Sequence, residues 1–575
     1  MATILGASGA DRLIGTNSND LFMGSPSSDV FEGLDGEDSV SYENSTRGLN
    51  IFMILSADAT GDAAGDTMYS IENVYGTGYD DFIHGNDLNN KIYGLFGNDT
   101  LFGYRGNNQL FGGQGTDNLV GSSGIDFIDG GEGIDTLSYQ LATGGITISM
   151  SDPSLNTGWA MGDTYINVED VTGTMYADTI YGDDQPVNNL WGLAGDDHIY
   201  GGGGYDVMIG DAGADYLDGG EGTDMADYET ADSPVIASLN DPSINTGHAK
   251  GDVYVSIQDI AGSRFDDILY GDYQNNGMDG WPGNDVLYGG PGNDGLSGNE
   301  GDDLLYGEAD WDLIDGGSGH DTAGFHGPIA NHKVWLSDGW INGQFFEGTI
   351  GHWMVADNVD GEGTDTLQSI ESLRFSDMTV NLTVKQTAAG INSASLTLLQ
   401  ELYVAFFNRV PDADGLEFWI NQYRDGQSIE AIAEIFYAAG VQSSQVTGYS
   451  AGMSHADFVN KIYQNVLGRQ DGADADGLKY WTGALISGSA SRGSLVKSIL
   501  QSAHTFKGNQ EWGWVANLLD NKASVANTFA VHMGLGFLTP EESIGKCMEI
   551  AAAVTPDGTQ AALELIGVTH SQIML

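Results

Sequence analysis

Aspartates recur every nine residues along much of this chain, and carboxylates stacked at that period are cation-binding chemistry. Asp197, Asp206, Asp215 and Asp224 keep the step, as do Asp285, Asp294, Asp303, Asp312 and Asp321. Asp99, Asn108, Asp117, Asp126 and Asp135 form another run, and Asp11, Asp20, Asp29 and Asp38 the first. Extending the three later runs backwards adds Asp81, Asn90, Asp178, Asn188, Asp267 and Asn276, with one extra residue before Asn188. The register then holds 24 positions, 20 Asp and 4 Asn. Two residues after each lies an apolar side chain, such as Leu13, Phe22, Leu101, Ile128, Ile199, Leu287 or Ile314. Five residues before lies glycine, except where Asp183 precedes Asn188.

The elements that must hold these carboxylates follow from the pattern. Glycine adopts positive φ and turns the chain tightly. The apolar residue centres a very short strand and points inward. Two nonapeptides make one turn of about 18 residues, as in β-helix repeats. Asp197 then lies beside Asp215, and Asp206 beside Asp224. Carboxylates at strand spacing repel unless a cation lies between them. Calcium suits such a site, because it takes six to eight oxygens, backbone carbonyls included, in irregular geometry, whereas magnesium demands an octahedron. Solvated acidic loops that bind nothing would have no reason to keep register with a buried position.

Segments such as GGQGTDNLV, GGGGYDVMI, GGPGNDGLS and GGEGIDTLS resemble the repeats-in-toxin (RTX) nonapeptide, over roughly residues 1–385. The resemblance implies a parallel β-roll whose sixth-position aspartates and loop carbonyls ligate calcium. That role falls best on Asp99, Asp117, Asp126, Asp135, Asp197, Asp206, Asp215, Asp224, Asp285, Asp294, Asp303, Asp312 and Asp321. Asn108 weakens its site. Ser18 and Ser27 replace a loop glycine, so Asp11, Asp20, Asp29 and Asp38 are expected to hold less calcium. Tyr79, Tyr176 and Phe265 stand at that loop position in the opening repeats of later blocks, which are expected to form turns without full sites.

Charge agrees with this reading. The 575 residues carry 82 acidic and 19 basic side chains, a formal net charge of −63. So large a single-sign charge repels itself in a compact state, yet a hydrophobic content of 41% argues against a disordered chain. Bound cations reconcile the two. A nucleic-acid partner is excluded by sign. The single cysteine, Cys547, excludes a disulfide framework and a cysteine zinc site. No run of about 18 apolar residues predicts a membrane helix, and Met1–Gly15 does not read as a Sec-type leader.

The gaps between blocks repeat as well. Asp38 to Asp81, Asp135 to Asp178 and Asp224 to Asp267 each span 43 residues, with Asp66, Asp163 and Asp252 at equivalent places. DTMYSIENV, DTYINVEDV and DVYVSIQDI alternate like strands, so the inserts are expected to continue the solenoid with longer turns. Near residue 390 glycine thins. Leu398, Leu399, Leu402, Phe406 and Phe407 then fall at helical spacing. FNRVPDADGLEFW and LGRQDGADADGLKYW mark an internal duplication that resembles an uncharacterised helical family of secreted bacterial proteins. Asp412, Asp414, Asp474 and Asp476 do not fit an EF-hand, whose twelfth position would fall on Asn421 and Gly483. Helix N-capping is the simpler role.

The predicted order is therefore a multidomain chain of parallel β-roll (β-solenoid) repeats followed by an all-α C-terminal region. Its parts are an RTX-like block at 1–42, insert-plus-block modules at 43–140, 141–228 and 229–323, a strand-rich closing segment at 324–385, a duplicated helical domain at 386–539, and a terminal segment at 540–575. The resemblance implies type I secretion, with the last segment as its signal. No HExxH occurs, and the one GxSxG, around Ser450, follows polar text rather than a buried strand. The expected function is non-enzymatic: a secreted, calcium-folded surface protein that assembles with itself, as in a surface layer or sheath. The alternative is a calcium-dependent adhesin for cell-surface polysaccharide, using Trp159, Trp281, Trp335, Trp340 and Trp353 as platforms. A secreted hydrolase or lyase ranks third.

Overall fold

Most strands of the repeat region are three to six residues long, and each pairs in parallel with the strand two repeats later. In the computed structural model Lys91–Phe96 pairs with Gln109–Gln114 and that strand with Phe127–Glu132, so Ile92, Leu110 and Ile128 stack one above another. All three are fully buried, as are Leu101, Ile199 and Leu287 from the same repeat position. The fold class matches the sequence reading: parallel-strand sheets through the repeats, then helices. The structure describes every residue except 1, 7, 8, 55, 56, 339, 342, 343, 346–350, 358, 360–362, 570 and 571, and no side chain at 340, 341, 344, 345 and 446. The chain divides into two units, Met1–Leu287 and Tyr288–Leu575.

Within the first unit the inserts add coils to the same ladder. Val30–Glu32 pairs with Thr67–Tyr69 and Ser39–Ser41 with Asn73–Tyr75. The second insert repeats this at Phe127↔Thr164 and Thr136↔Asp170, and the third at Tyr216↔Val253 and Met225↔Asp259. The additional residues fold as short 3-10 turns, such as Pro153–Leu155 and Pro242–Ile244, capped by Asp152 and Asp241. Outward-facing rings stack at the inter-strand spacing: Tyr75, Tyr93 and Phe111 lie 4.5 and 4.7 Å apart, and Tyr181 and Tyr200 4.7 Å.

The second unit ends the repeats and turns helical. Leu296 stacks on Ile314 in the last coils. His332–Leu336, Trp353–Asp357 and Thr364–Gln368 form an antiparallel sheet, which Ile573–Met574 extends in parallel. Leu399, Leu402 and Phe406 centre the helix Ser393–Phe407 and are fully buried. The duplicated phrases each place an aspartate at a helix start. Asp412 accepts from the Gly415 N–H and Asp474 from the Gly477 N–H, both at 2.8 Å, which is the N-capping role read from the sequence. Arg409 and Arg469 hold the same two carboxylates at 3.0 and 3.1 Å.

Candidate metal centre

Each registered aspartate divides its two oxygens between different tasks. In most of them Oδ1 accepts the main-chain N–H of the registered residue one coil earlier. Asp99 donates to Asp117, Asp117 to Asp135, Asp197 to Asp215 and Asp294 to Asp312, all at 2.8 Å. Asp20 donates to Asp38 at 2.7 Å, Asp303 to Asp321 at 2.9 Å and Asp206 to Asp224 at 3.0 Å. Asp285 likewise accepts from Asp267 at 2.8 Å. These charge-assisted bonds knit the coils. They also confirm the stacking of Asp197 on Asp215 and Asp206 on Asp224.

Oδ2 is the oxygen left for chemistry. In Asp38, Asp99, Asp117, Asp135, Asp197, Asp206, Asp215, Asp224, Asp312 and Asp321 it is buried with no hydrogen-bond donor. These residues are at most 3% exposed. A buried anionic oxygen without a partner costs several kcal/mol, on the order of a lost charged hydrogen bond or more. Its recurrence at one register position is the pattern expected of cation ligands. Main-chain carbonyls converge on the same place. A methyl group built at Gly112 would meet both Asp117 Oδ2 and Gly130 O, and one at Gly201 would meet both Asp206 Oδ2 and Gly219 O. Among the described residues no three His, Cys, Asp or Glu side chains gather. Carbonyls must therefore supply most ligands, and an all-oxygen set with one carboxylate per repeat fits calcium.

The electrostatics agree. Burial, reinforced by neighbouring carboxylates, pushes Asp99 and Asp215 up to about 8 and Asp197 and Asp312 up to about 7. Asp135 and Asp206 rise to about 6 from the same causes. Without a cation, protons would compete for these carboxylates near neutral pH.

The residue four before each aspartate sorts the repeats into two kinds. In all ten orphaned repeats it has positive φ, whether glycine, as at Gly113 and Gly202, or not, as at Leu34, Leu95, Leu193, Asp211 and Glu308. Side chains rarely accept that conformation. Asp285, Asp294 and Asp303 share this loop, with Trp281, Gly290 and Asn299 at positive φ. In the other kind the position is Ser or Thr outside the left-handed region, and its own groups fill Oδ2. Ser122 N–H and Oγ reach Asp126 Oδ2 at 3.1 and 2.7 Å, and Asn108 N–H fills Oδ1 at 2.6 Å. Asp126, expected among the better calcium ligands, is thus already satisfied by the chain. Thr16 closes Asp20, Ser25 and Ser27 close Asp29, and Thr77, Thr174 and Ser263 close Asp81, Asp178 and Asp267.

This revises the view of the first block. Asp20 and Asp29 are closed, but Asp38 has the open, orphaned geometry of later blocks, and Asp11 is only half-buried. In the second block the column Asp99–Asp117–Asp135 is open, whereas the column through Asn90, Asn108 and Asp126 is closed or amide-bearing. The opening repeats close through Thr77, Thr174 and Ser263, not through the Tyr79, Tyr176 and Phe265 substitutions noted in the sequence. The signal was readable: Ser or Thr four residues before the aspartate.

Glycine provides a direct check. Gly201→Ala should cost one calcium site, since the methyl collides with Asp206 Oδ2 and lies 2.7 Å from Gly219 O. Gly203→Ala should leave the calcium count unchanged, because its nearest contact is 3.4 Å. Isothermal titration of both variants tests the geometry; equal losses would refute it.

Other candidates resolve differently. Ser450 follows the short helix Ser444–Thr447 and a left-handed Gly448, not a strand. Trp159, Trp281, Trp335 and Trp353 are half-buried, and the Trp340 side chain lies outside the described residues. No helix among the described residues is long and apolar enough to cross a membrane.

Comparison with protein families matches RTX calcium-binding nonapeptide repeats at residues 5–40, 75–110, 111–139, 191–226, 258–287 and 288–323. A domain of unknown function, DUF4214, matches residues 438–508. No curated protein matches the chain, and no enzyme family is found. RTX repeat proteins are typically secreted by type I systems. The chain accordingly carries RTX calcium-binding nonapeptide repeats through its strand region and a DUF4214 domain in its helical region.

Proposed function

We propose that this is a secreted structural protein that folds on calcium outside the cell and then associates with copies of itself. The carrying observation for calcium-dependent folding is the series of buried, donorless Oδ2 atoms at one register position. A net charge of −63 keeps the ion-free chain extended where calcium is scarce, and calcium at extracellular levels neutralises it. Self-association is supported by the duplicated helices. Ala413–Arg424 buries Ala413, Leu416 and Ile420, whereas its counterpart Ala475–Ser487 buries no residue. That second helix leaves Tyr480 67% and Ile486 71% exposed. Exposed apolar side chains on a helix without buried residues support a contact surface there.

Light scattering and electron microscopy of calcium-loaded protein test the assembly. Ordered oligomers are expected, with Tyr480→Ser/Ile486→Ser shifting the population to monomer. Monodisperse monomers of the parent chain at high concentration would remove the assembly reading and leave calcium-dependent folding standing.

A further inference from the structure

Each insert carries one aspartate within it and ends on a registered one, and both are saturated by the chain's own groups. Asp66, Asp163 and Asp252 accept on Oδ1 from the main-chain N–H of Asp29, Asp126 and Asp215, at 2.7, 2.7 and 2.9 Å. Their Oδ2 atoms accept from the hydroxyls of Tyr42, Tyr139 and Tyr228, at 2.6, 2.5 and 2.7 Å. These tyrosines are at most 1% exposed. Asp81, Asp178 and Asp267 follow a second repeated design. Oδ1 takes the N–H of Leu49, Ile146 or Val235 at 2.7, 2.8 and 2.7 Å. It also takes the hydroxyl of Thr77, Thr174 or Ser263 at 3.1, 3.0 and 3.0 Å. The main-chain N–H of that same Thr or Ser fills Oδ2.

We propose that Tyr42, Tyr139 and Tyr228, with Thr77, Thr174 and Ser263, stand in for calcium, so that the three inserts are calcium-independent coils set between calcium-dependent blocks. The proposal rests on the calcium reading of the open repeats and extends it to what the inserts are for. Where Oδ2 has a hydroxyl or N–H donor, both carboxylate oxygens are paired without an ion; where it has none, folding waits for one. In a repeat array each coil folds against its neighbour, so a coil that folds without calcium is a template for the next. The threefold repetition of both designs, with distances agreeing to a few tenths of an ångström, argues against chance packing. It also explains why the blocks begin where they do: the open columns at Asp99 and Asp197 start one coil after Asp81 and Asp178.

Hydrogen exchange read by mass spectrometry on the full chain tests this, with and without a calcium chelator. In chelator, amides of Tyr42–Asp81, Tyr139–Asp178 and Tyr228–Asp267 should exchange at least about tenfold more slowly than those of Gly94–Asp135 and Gly192–Asp224. In calcium all segments should be protected. The double variant Tyr139→Phe/Thr174→Gly should lose the chelator-resistant protection of the second insert and leave the first and third unchanged. Uniform loss across inserts and blocks in chelator would overturn the proposal while leaving calcium-dependent folding intact. Protection that ignores calcium everywhere would overturn the calcium reading, and this proposal with it. A double variant exchanging like the parent would show that the hydroxyls do not carry the inserts.

Discussion

Removing calcium from the folded protein is expected to abolish most of the β-structure of the nonapeptide blocks while sparing the helices. The magnitude follows from linkage. An ion held at tenfold excess over its Kd stabilises the folded state by about 1.4 kcal/mol, so ten open sites contribute about 14 kcal/mol. That lies at the upper end of the whole net stability of a typical domain, about 5–15 kcal/mol. The blocks also lack a compensating interaction: without the ion, each open repeat leaves a buried oxygen without a donor. The helical region has its own core and caps, including Leu399, Leu402, Phe406 and the N-caps Asn392, Ser428 and Ser454. Far-ultraviolet circular dichroism in chelator should therefore lose its β contribution, keep its helical minima and recover on adding calcium. A chelator-insensitive spectrum would refute calcium-dependent folding.

The nonapeptide register was legible because three levels agreed: glycine for the turn, an apolar residue for the core, an aspartate for the edge. Leu110 and Ile128 could be placed on one buried stack from spacing alone. The split between open and closed repeats was less visible, although it lies in the same letters. Ser122 and Gly113 both look like ordinary loop residues. What separates them is whether the backbone takes positive φ or keeps an N–H and a hydroxyl aimed at the carboxylate. Tyr139 and Asp163 were harder still. They lie 24 residues apart in the chain, and their bond depends on the path of the insert between them. Helix N-capping by Asp412 and Asp474 was accessible because it is local. The difference in cover between the two duplicated helices was not, because it depends on which other elements pack against each.

Acidification is expected to act on this protein opposite to ordinary acid denaturation when calcium is absent. The sign follows from the raised carboxyls. Asp99 and Asp215 lie at about 8, and Asp197 and Asp312 at about 7, in the folded, ion-free chain. In the unfolded chain an aspartate lies near 3.9. Between about pH 4 and pH 8 the folded state then binds more protons than the unfolded state, so its stability falls as pH rises through that window. In chelator, lowering the pH from about 8 to about 5 should restore part of the β signal, because a proton does for Oδ2 what calcium does at neutral pH. Protons and calcium compete for the same oxygens, so the calcium midpoint should rise by at least about tenfold between pH 8 and pH 6. The closed repeats should take up little calcium at any of these pH values, since donors from the chain already occupy both oxygens of Asp126 and Asp81. Calcium titrations at three pH values, followed by circular dichroism, separate the two expectations. A midpoint that does not move with pH would mean that the open carboxylates are not the ligands, whatever else binds the ion.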